Sequence, residues 1–333
     1  MRYVLARLTQ GVFILFGVSI ITFFLPNLYY SPITLAVAVL GHGHGITHES
    51  YVIWLKQNGL DGSIWNRYWH WLWQALHGNF GVAYKESTRF RTVTVSSVLG
   101  ANLFRSVVLV FIPTVASVLI AIPIGLSQAV RRNRLYDHLM TTGVFILYST
   151  PAVLVCTLLA YYFGDVLGIG KPTVIDTAQQ VSPGQFPSFI LHNFSSFELP
   201  FAAIIFLSIG GLTRYMRGSA LDTLVQDYVR TARAKGASPT RVLFRHVFRP
   251  SVIPLVTIVG LTIPTIIGGA LIIEEIFSYP GMGVLTVNSV QNDDFAVVMA
   301  ITMFTAFLTV VGNLLADVFV AIADPRIRLG ASR

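Results

Sequence analysis

The stretch Asp227-Tyr-Val-Arg-Thr-Ala-Arg-Ala-Lys-Gly236-Ala-Ser-Pro239 decides the reading of this chain. It is basic, helix-forming and broken by one glycine, and it lies between apolar runs at residues 201–211 and 253–273. The runs partition into hydrocarbon, whereas the charged connector needs water. From Leu221 an apolar face is predicted at helical spacing, through Leu224, Val225, Tyr228 and Ala232. Gly236 stops that helix, Ser238 caps the next one and Pro239 opens it. The second helix is expected to turn Val242, Leu243 and Val247 inward and Arg241, Arg245 and Arg249 outward. Residues 215–250 therefore read as an organised two-helix elbow on which something docks. A basic helix pair lying on anionic lipid is the plainer alternative.

The rest of the chain agrees with a membrane setting. Of 333 residues, 54% are hydrophobic and 11% charged, against about 25% charged in a soluble domain. Such a chain cannot cover a water-facing surface. Apolar windows fall at 8–28, 103–130, 139–164, 199–211 (extending to 215), 252–273 and 295–323, which gives six expected spans. The fourth window is the shortest. The first is too long for a signal peptide and lacks a cleavage site, so it reads as a retained span. With the N-terminus inside, sixteen of the 23 Lys and Arg residues fall in cytoplasmic segments, so the net charge of +8 is a topology signal. Both termini are then cytoplasmic. Prolines at 113, 123, 151 and 264 are expected to bend spans, and Gly268 and Gly269 to let helices approach closely.

The first and second spans are separated by a long outer loop that holds all five tryptophans. Trp65, Trp69 and Trp73 repeat at helical spacing, which predicts an amphipathic helix on the membrane interface or on the outer ends of the spans. His42, His44, His48 and Glu49 lie in a glycine-rich part of this loop. Val52 stands where a metalloprotease motif needs its second histidine, and flexible chain raises the cost of assembling a site. No metal site is assigned. Cys156, the lone cysteine, cannot form an intramolecular disulfide and reads as packing.

The chemistry of catalysis is missing from the sequence. The nearest approach to a phosphate-binding loop, at Gly170-Lys171, has Asp165 in place of the first glycine and Pro172 after the lysine. No nucleophile elbow and no paired Cys or His ligand spacing occurs, so no catalytic residue is assigned. Ionisable residues in or at the ends of spans include Glu274, Glu275 and Asp317. Such carboxylates are functional candidates by default, although Glu274 and Glu275 could simply reach interfacial water.

The elbow carries a resemblance. Arg230-Thr-Ala-Arg-Ala-Lys-Gly236, followed by Arg245-His246 and Ile253-Pro254, resembles the EAA-type loop of ABC importer permeases. The match is nearest to the branch that serves dipeptides, oligopeptides and nickel. Gly268-Gly269, Glu274, Phe277-Ser-Tyr-Pro280-Gly281-Met-Gly283, Asp294-Phe295, Asn313, Asp317 and Asp324-Pro325-Arg326 continue that pattern in order. Gly59-Leu60-Asp61 and Gly78-Asn79-Phe80-Gly81 fit more loosely. Pro250, Ala296 and Ala101-Asn-Leu103-Phe depart from it without removing the loop.

The resemblance implies an all-α membrane protein with the type I importer transmembrane fold, six transmembrane helices and a long extracytoplasmic loop after the first. It implies a tail and first helix at 1–30, an outer region at 31–100, a five-helix permease core at 101–323 containing the coupling loop 215–250, and a cytoplasmic tail at 324–333. The coupling residues would be Asp227, Arg230, Thr231, Ala232, Arg233, Ala234, Lys235, Gly236, Ala237 and Ser238, docking in a cleft of an ATPase. Gly268, Gly269, Glu274, Asn313 and Asp317 would be pathway or gate residues.

The implied partners are a second permease subunit, two ATPase subunits, an extracytoplasmic substrate-binding protein and membrane lipid, with no nucleic acid. This chain would bind no cofactor itself, while ATP and Mg would be used by the partner subunits. The setting would be a bacterial or archaeal cytoplasmic membrane. A nickel or other small-solute importer is the alternative within the branch. An ion-coupled secondary transporter predicts inverted repeats and paired mid-membrane carboxylates, which the sequence does not show.

Overall fold

The computed structural model describes residues 2–29, 48–57, 61–83, 93–174, 181, 184–261 and 270–323. Among these the protein is helical, with one isolated antiparallel bridge, Val82 to Thr94. The helices are α1 (Arg2–Tyr29), α2 (His48–Gln57), α3 (Ile64–Leu76), α4 (Val95–Val130), α5 (Leu135–Ser149) and α6 (Ala152–Leu158), the last continuing as a π-helical segment, Leu159–Val166. There follow α7 (Phe186–His192), α8 (Phe194–Leu224) and α9 (Asp227–Ala234). Helix α10 begins at Pro239–Arg241, is π-helical over Val242–Phe248 and is α-helical again over Arg249–Leu261. Helices α11 (Leu271–Ile276), α12 (Met282–Gln291) and α13 (Phe295–Ala323) complete the chain.

Four helices are long and apolar enough to cross a bilayer, over Arg7–Leu28, Val95–Val130, Phe194–Leu224 and Phe295–Leu314. A fifth crossing is available if α5 and α6 with its π-helical continuation form one span. The expected count of six is therefore not reached among the described residues. The fifth expected window passes through residues 262–269, which lie outside the described residues together with Pro264, Gly268 and Gly269. The third expected span is not straight: its two halves meet at 99°. Thr150 is extended there, at ψ 128, as a following proline favours, and Pro151 is extended as well, at ψ 138.

The fourth window, the shortest in the sequence, turns out to be the most enclosed. Helix α8 runs for 31 residues and has 56% of its apolar window buried, against 22% for the other three. The expected window extended only to Tyr215, because a hydropathy window reads Arg217 as the end of a span. The protein interior supplies Arg217 with a partner that hydrocarbon could not. Thr213 is fully buried, and the Arg217 side chain reaches a buried carboxylate.

The chain divides into two compact units, one of Met1–Asn102 with Leu285–Val311 and the other of Leu103–Val284 with Gly312–Arg333. In the first unit α3 lies on α1. Ser63 caps α3 by accepting from the Asn66 amide. Tyr68 is buried, shares a 2.8 Å hydrogen bond with Ser19, and meets the Phe23 ring edge-on at 5.5 Å. The Arg67 guanidinium donates to the Asn27 side chain. Trp65, Trp69 and Trp73 remain exposed along α3, Trp65 with one edge 5.1 Å from the Phe24 ring of α1. The helix thus does both things its sequence allowed, packing on the first span and presenting an aromatic stripe outward.

In the second unit α8 is the hub. It packs on α5, α6 and α10. Two apolar clusters form along it. One gathers Leu109, Cys156, Phe197, Phe201, Phe277 and Tyr279. The other gathers Ala121, Met216, Ala220, Val229, Val242, Val247 and Leu255, drawn from α4, α8, α9 and α10. Cys156 is core packing, as its apolar surroundings in the sequence suggested.

Candidate functional site

The elbow begins where α8 ends. The apolar face expected to continue from Leu221 is interrupted, because the chain breaks at Val225 and Gln226 before α9 starts. Gln226 is extended, at φ −70 and ψ 146. The break rotates α9, so Val225 and Tyr228 are exposed and Val229 is the residue that is fully buried. Of the expected inward residues of α9, Ala232 alone packs inward, beside Val229. The sequence carried a signal for this: Val229 pairs with Ala232 and the following Ala237 at the spacing of a short helix closed by its own turn.

That turn is complete. The Gly236 amide donates to the Arg233 carbonyl at 3.0 Å, and the Ala237 amide to the Ala232 carbonyl at 3.1 Å. These two bonds are the Schellman closure, which requires a left-handed residue between them. Gly236 fills that place at φ +78, with open space where a side chain would stand. Ala232 and Ala237, whose backbones are joined by the longer bond, pack against the same apolar cluster. Ser238 then accepts from the Arg241 amide at 3.4 Å and Pro239 opens α10, as expected.

The second limb follows its predicted pattern. Val242 and Val247 are buried, whereas Arg241, Arg245 and Arg249 are exposed. The elbow is tied back to α8 by Ser251, whose hydroxyl lies 3.1 Å from the Thr223 hydroxyl and 2.7 Å from the Val247 carbonyl. Asp227, Arg230, Thr231, Arg233, Ala234, Lys235, Gly236 and Ser238 all face outward. Asp227 and Arg230 approach to 3.8 Å with both side chains largely solvated, an arrangement worth little in stability. The result is an outward-facing, cationic knob on an apolar base. Chemically it suits a concave protein surface carrying acidic groups, or anionic lipid headgroups.

Glu274 occupies a second site, unlike the interfacial exposure the sequence allowed. It is fully buried, whereas Glu275 is exposed. Ser106 on α4 donates to Glu274 Oε1 at 2.6 Å and accepts from the Met282 amide at 2.8 Å. Glu274 Oε2 accepts from the amides of Gly283, at 2.6 Å, and Val284, at 3.2 Å. The carboxylate therefore caps the first turn of α12, where backbone donors and the helix dipole favour negative charge.

The segment Phe277-Ser-Tyr-Pro280-Gly281-Met-Gly283 wraps this carboxylate. Ser278 turns at φ 49, the Tyr279 amide donates to the Glu274 carbonyl at 2.7 Å, and the Tyr279 hydroxyl donates to the Arg105 carbonyl at 2.7 Å. A Cβ at Gly283 would lie 2.8 Å from both Glu274 Oε2 and Leu271 Cα, so the close approach requires glycine. None of these partners is another of the pathway candidates. Asn313 is exposed on α13, Asp317 lies further along the same helix, and Gly268 and Gly269 are outside the described residues. His42 and His44 are likewise outside, while His48 opens α2.

Comparison with known proteins places this architecture. The family described as "Binding-protein-dependent transport system inner membrane component" matches residues 121–329, which include the elbow and Glu274. Its companion, described as "Binding-prot-dependent transport system membrane comp, N-term", matches residues 1–119. The chain belongs to the family of inner-membrane components of binding-protein-dependent transport systems.

Among individual relatives, the oligopeptide transport system permease protein AppB of Bacillus subtilis is 33% identical, over 98% of each chain. The oligopeptide transport system permease protein OppB of Mycobacterium tuberculosis is 31% identical, over 98% of this chain and 99% of its own. The dipeptide transport system permease protein DppB of Escherichia coli is 27% identical over the same shares. The expected all-α membrane permease class is therefore met.

Proposed function

We propose that this chain is a permease subunit of an ATP-driven importer of di- or oligopeptides, forming half of the translocation pathway. The observation that carries the reading is the elbow, a pre-organised cationic knob closed at Gly236 and seated on α8 and α10. Relatives aligned along nearly their whole length are oligopeptide and dipeptide permeases, which supports peptides as the cargo.

In this reading a second permease completes the pathway and two ATPase subunits bind and hydrolyse ATP with Mg. A substrate-binding protein delivers peptide from outside. Both termini lie in the cytoplasm, where the short connections concentrate their arginines. The residues from Asp227 to Ser238 dock in the ATPase cleft. Their exposed arginines and lysine steer the acidic partner surface, and the buried Val229 with the half-buried Ala232 keeps the knob from folding away when it is pushed. Movement of the ATPases is thereby delivered to α8, the most enclosed helix.

The test is reconstitution into proteoliposomes with a second permease, ATPases and a binding protein from the same source. Labelled dipeptide or oligopeptide should accumulate only when ATP and every partner are present. Accumulation of peptide by this chain alone, with no ATPase, would overturn the reading.

A further inference from the structure

We infer that the pair formed by the buried Asp137 and the half-buried Arg217 is a positioning clamp for energy coupling, fastening the α4–α5 turn to the helix that carries the elbow; this rests on the permease reading above. Arg217 Nε lies 2.8 Å from Asp137 Oδ1 and Arg217 Nη2 lies 2.8 Å from Asp137 Oδ2. Asp137 is 2% exposed. Its Oδ2 also accepts from the Asn133 amide at 3.0 Å, and Asn133 sits in the left-handed region at φ 62. The carboxylate thus holds the turn between α4 and α5 in shape while it grips α8.

Other contacts confine the same corner. The hydroxyls of Ser127 and Tyr136 are 2.8 Å apart, and the Arg131 guanidinium lies over the Tyr136 ring at 4.9 Å. Gly125 of α4 abuts α8 so closely that a Cβ there would lie 2.7 Å from Met216 Cβ and 3.0 Å from the Arg217 amide nitrogen. Arg217 is therefore held by α4 at its backbone and by α5 at its side chain. It stands about two helical turns before the end of α8. Met216 and Ala220 on that stretch share one apolar cluster with Val229 of the elbow.

The chemistry suits transmission better than simple adhesion. A bidentate guanidinium–carboxylate fork fixes direction as well as distance. Apolar helix faces can slide past one another, whereas the fork breaks if α5 and α8 shift. Buried ion pairs are poor net stabilisers compared with apolar pairs of similar volume, and setting register is their best-attested use. A push on the elbow is passed along α8 and through the fork to α5 and the α4–α5 turn without slip.

The test compares peptide uptake per ATP hydrolysed in proteoliposomes holding the complete transporter. Arg217→Lys keeps the charge and loses the fork. The double variant Asp137→Leu with Arg217→Met removes both charges and leaves none stranded. Both should assemble with the ATPases, while uptake per ATP falls about tenfold, within the reach of one lost coupling contact. Wild-type uptake per ATP in both variants, or failure of both to assemble, would show the pair to be structural only and would overturn the inference. A wild-type complex without ATP-dependent uptake would instead sink the permease reading on which the inference stands.

Discussion

The hydroxyl of Ser106 donates to the Glu274 carboxylate at 2.6 Å, joining residues 168 positions apart in the chain. The same hydroxyl accepts from the Met282 amide, so one side chain ties α4 to both the buried acid and the helix that acid caps. Replacing Glu274 by Ala strands the Ser106 hydroxyl and the Gly283 and Val284 amides. The expected loss is about 1–3 kcal/mol, the cost of leaving buried donors without their acceptor. Glu275→Ala, at an exposed position, is expected to be neutral. Thermal unfolding of the detergent-purified protein checks both, and equal midpoints for the two variants would show that the clasp contributes nothing.

Gly236 separates the shape of the elbow from its contacts. A side chain at this position meets open space, so the left-handed backbone is the only obstacle. A branched residue there costs about 1–2 kcal/mol, whereas Asn tolerates the conformation. Gly236→Asn should keep the turn and retain the ATPase subunits through purification. Gly236→Val should open the turn and lose them, with normal membrane insertion. Full retention by Gly236→Val would show that docking does not need this turn.

Val229 anchors the first limb, and Tyr228 beside it does not. Val229→Asp places a carboxylate in the apolar cluster, a cost the segment avoids by detaching from its base. Trypsin should then cut within the segment that holds Arg230, Arg233 and Lys235 much faster than in the wild type. Tyr228→Ala should leave the cleavage rate unchanged. Equal rates in all three proteins would mean that the elbow has no seat to lose.

The tryptophan stripe predicts an optical result. Trp65, Trp69 and Trp73 are exposed, while Trp71 lies 5.5 Å from the Phe23 ring. In vesicles, a variant retaining only Trp69 should be quenched strongly by lipids brominated near the headgroup. One retaining only Trp71 should be quenched less. Quenching of Trp69 by aqueous iodide alone would place the stripe in water rather than at the membrane interface.

Much of the elbow was legible in the sequence because its signals are local. A glycine after a helical pattern, a serine before a proline and alternating arginines each act within a few residues. Tyr228 and Val225 were misread for the complementary reason. Their facing depends on the break at Gln226, and nothing in an apolar repeat fixes where a helix interrupts itself. The length of α8 was hidden in the same way, since Arg217 reads as the end of a span until its carboxylate partner is placed beside it.

The composition, the apolar windows and the order of motifs by themselves determined a helical membrane permease with a basic elbow, because hydrophobicity and turn chemistry are written residue by residue. Only the tertiary structure decided that Glu274 is a buried cap, that α8 is the enclosed hub and that Asp137 faces Arg217. Those facts depend on groups far apart in the chain arriving within hydrogen-bonding reach, where burial makes each partner indispensable to the other.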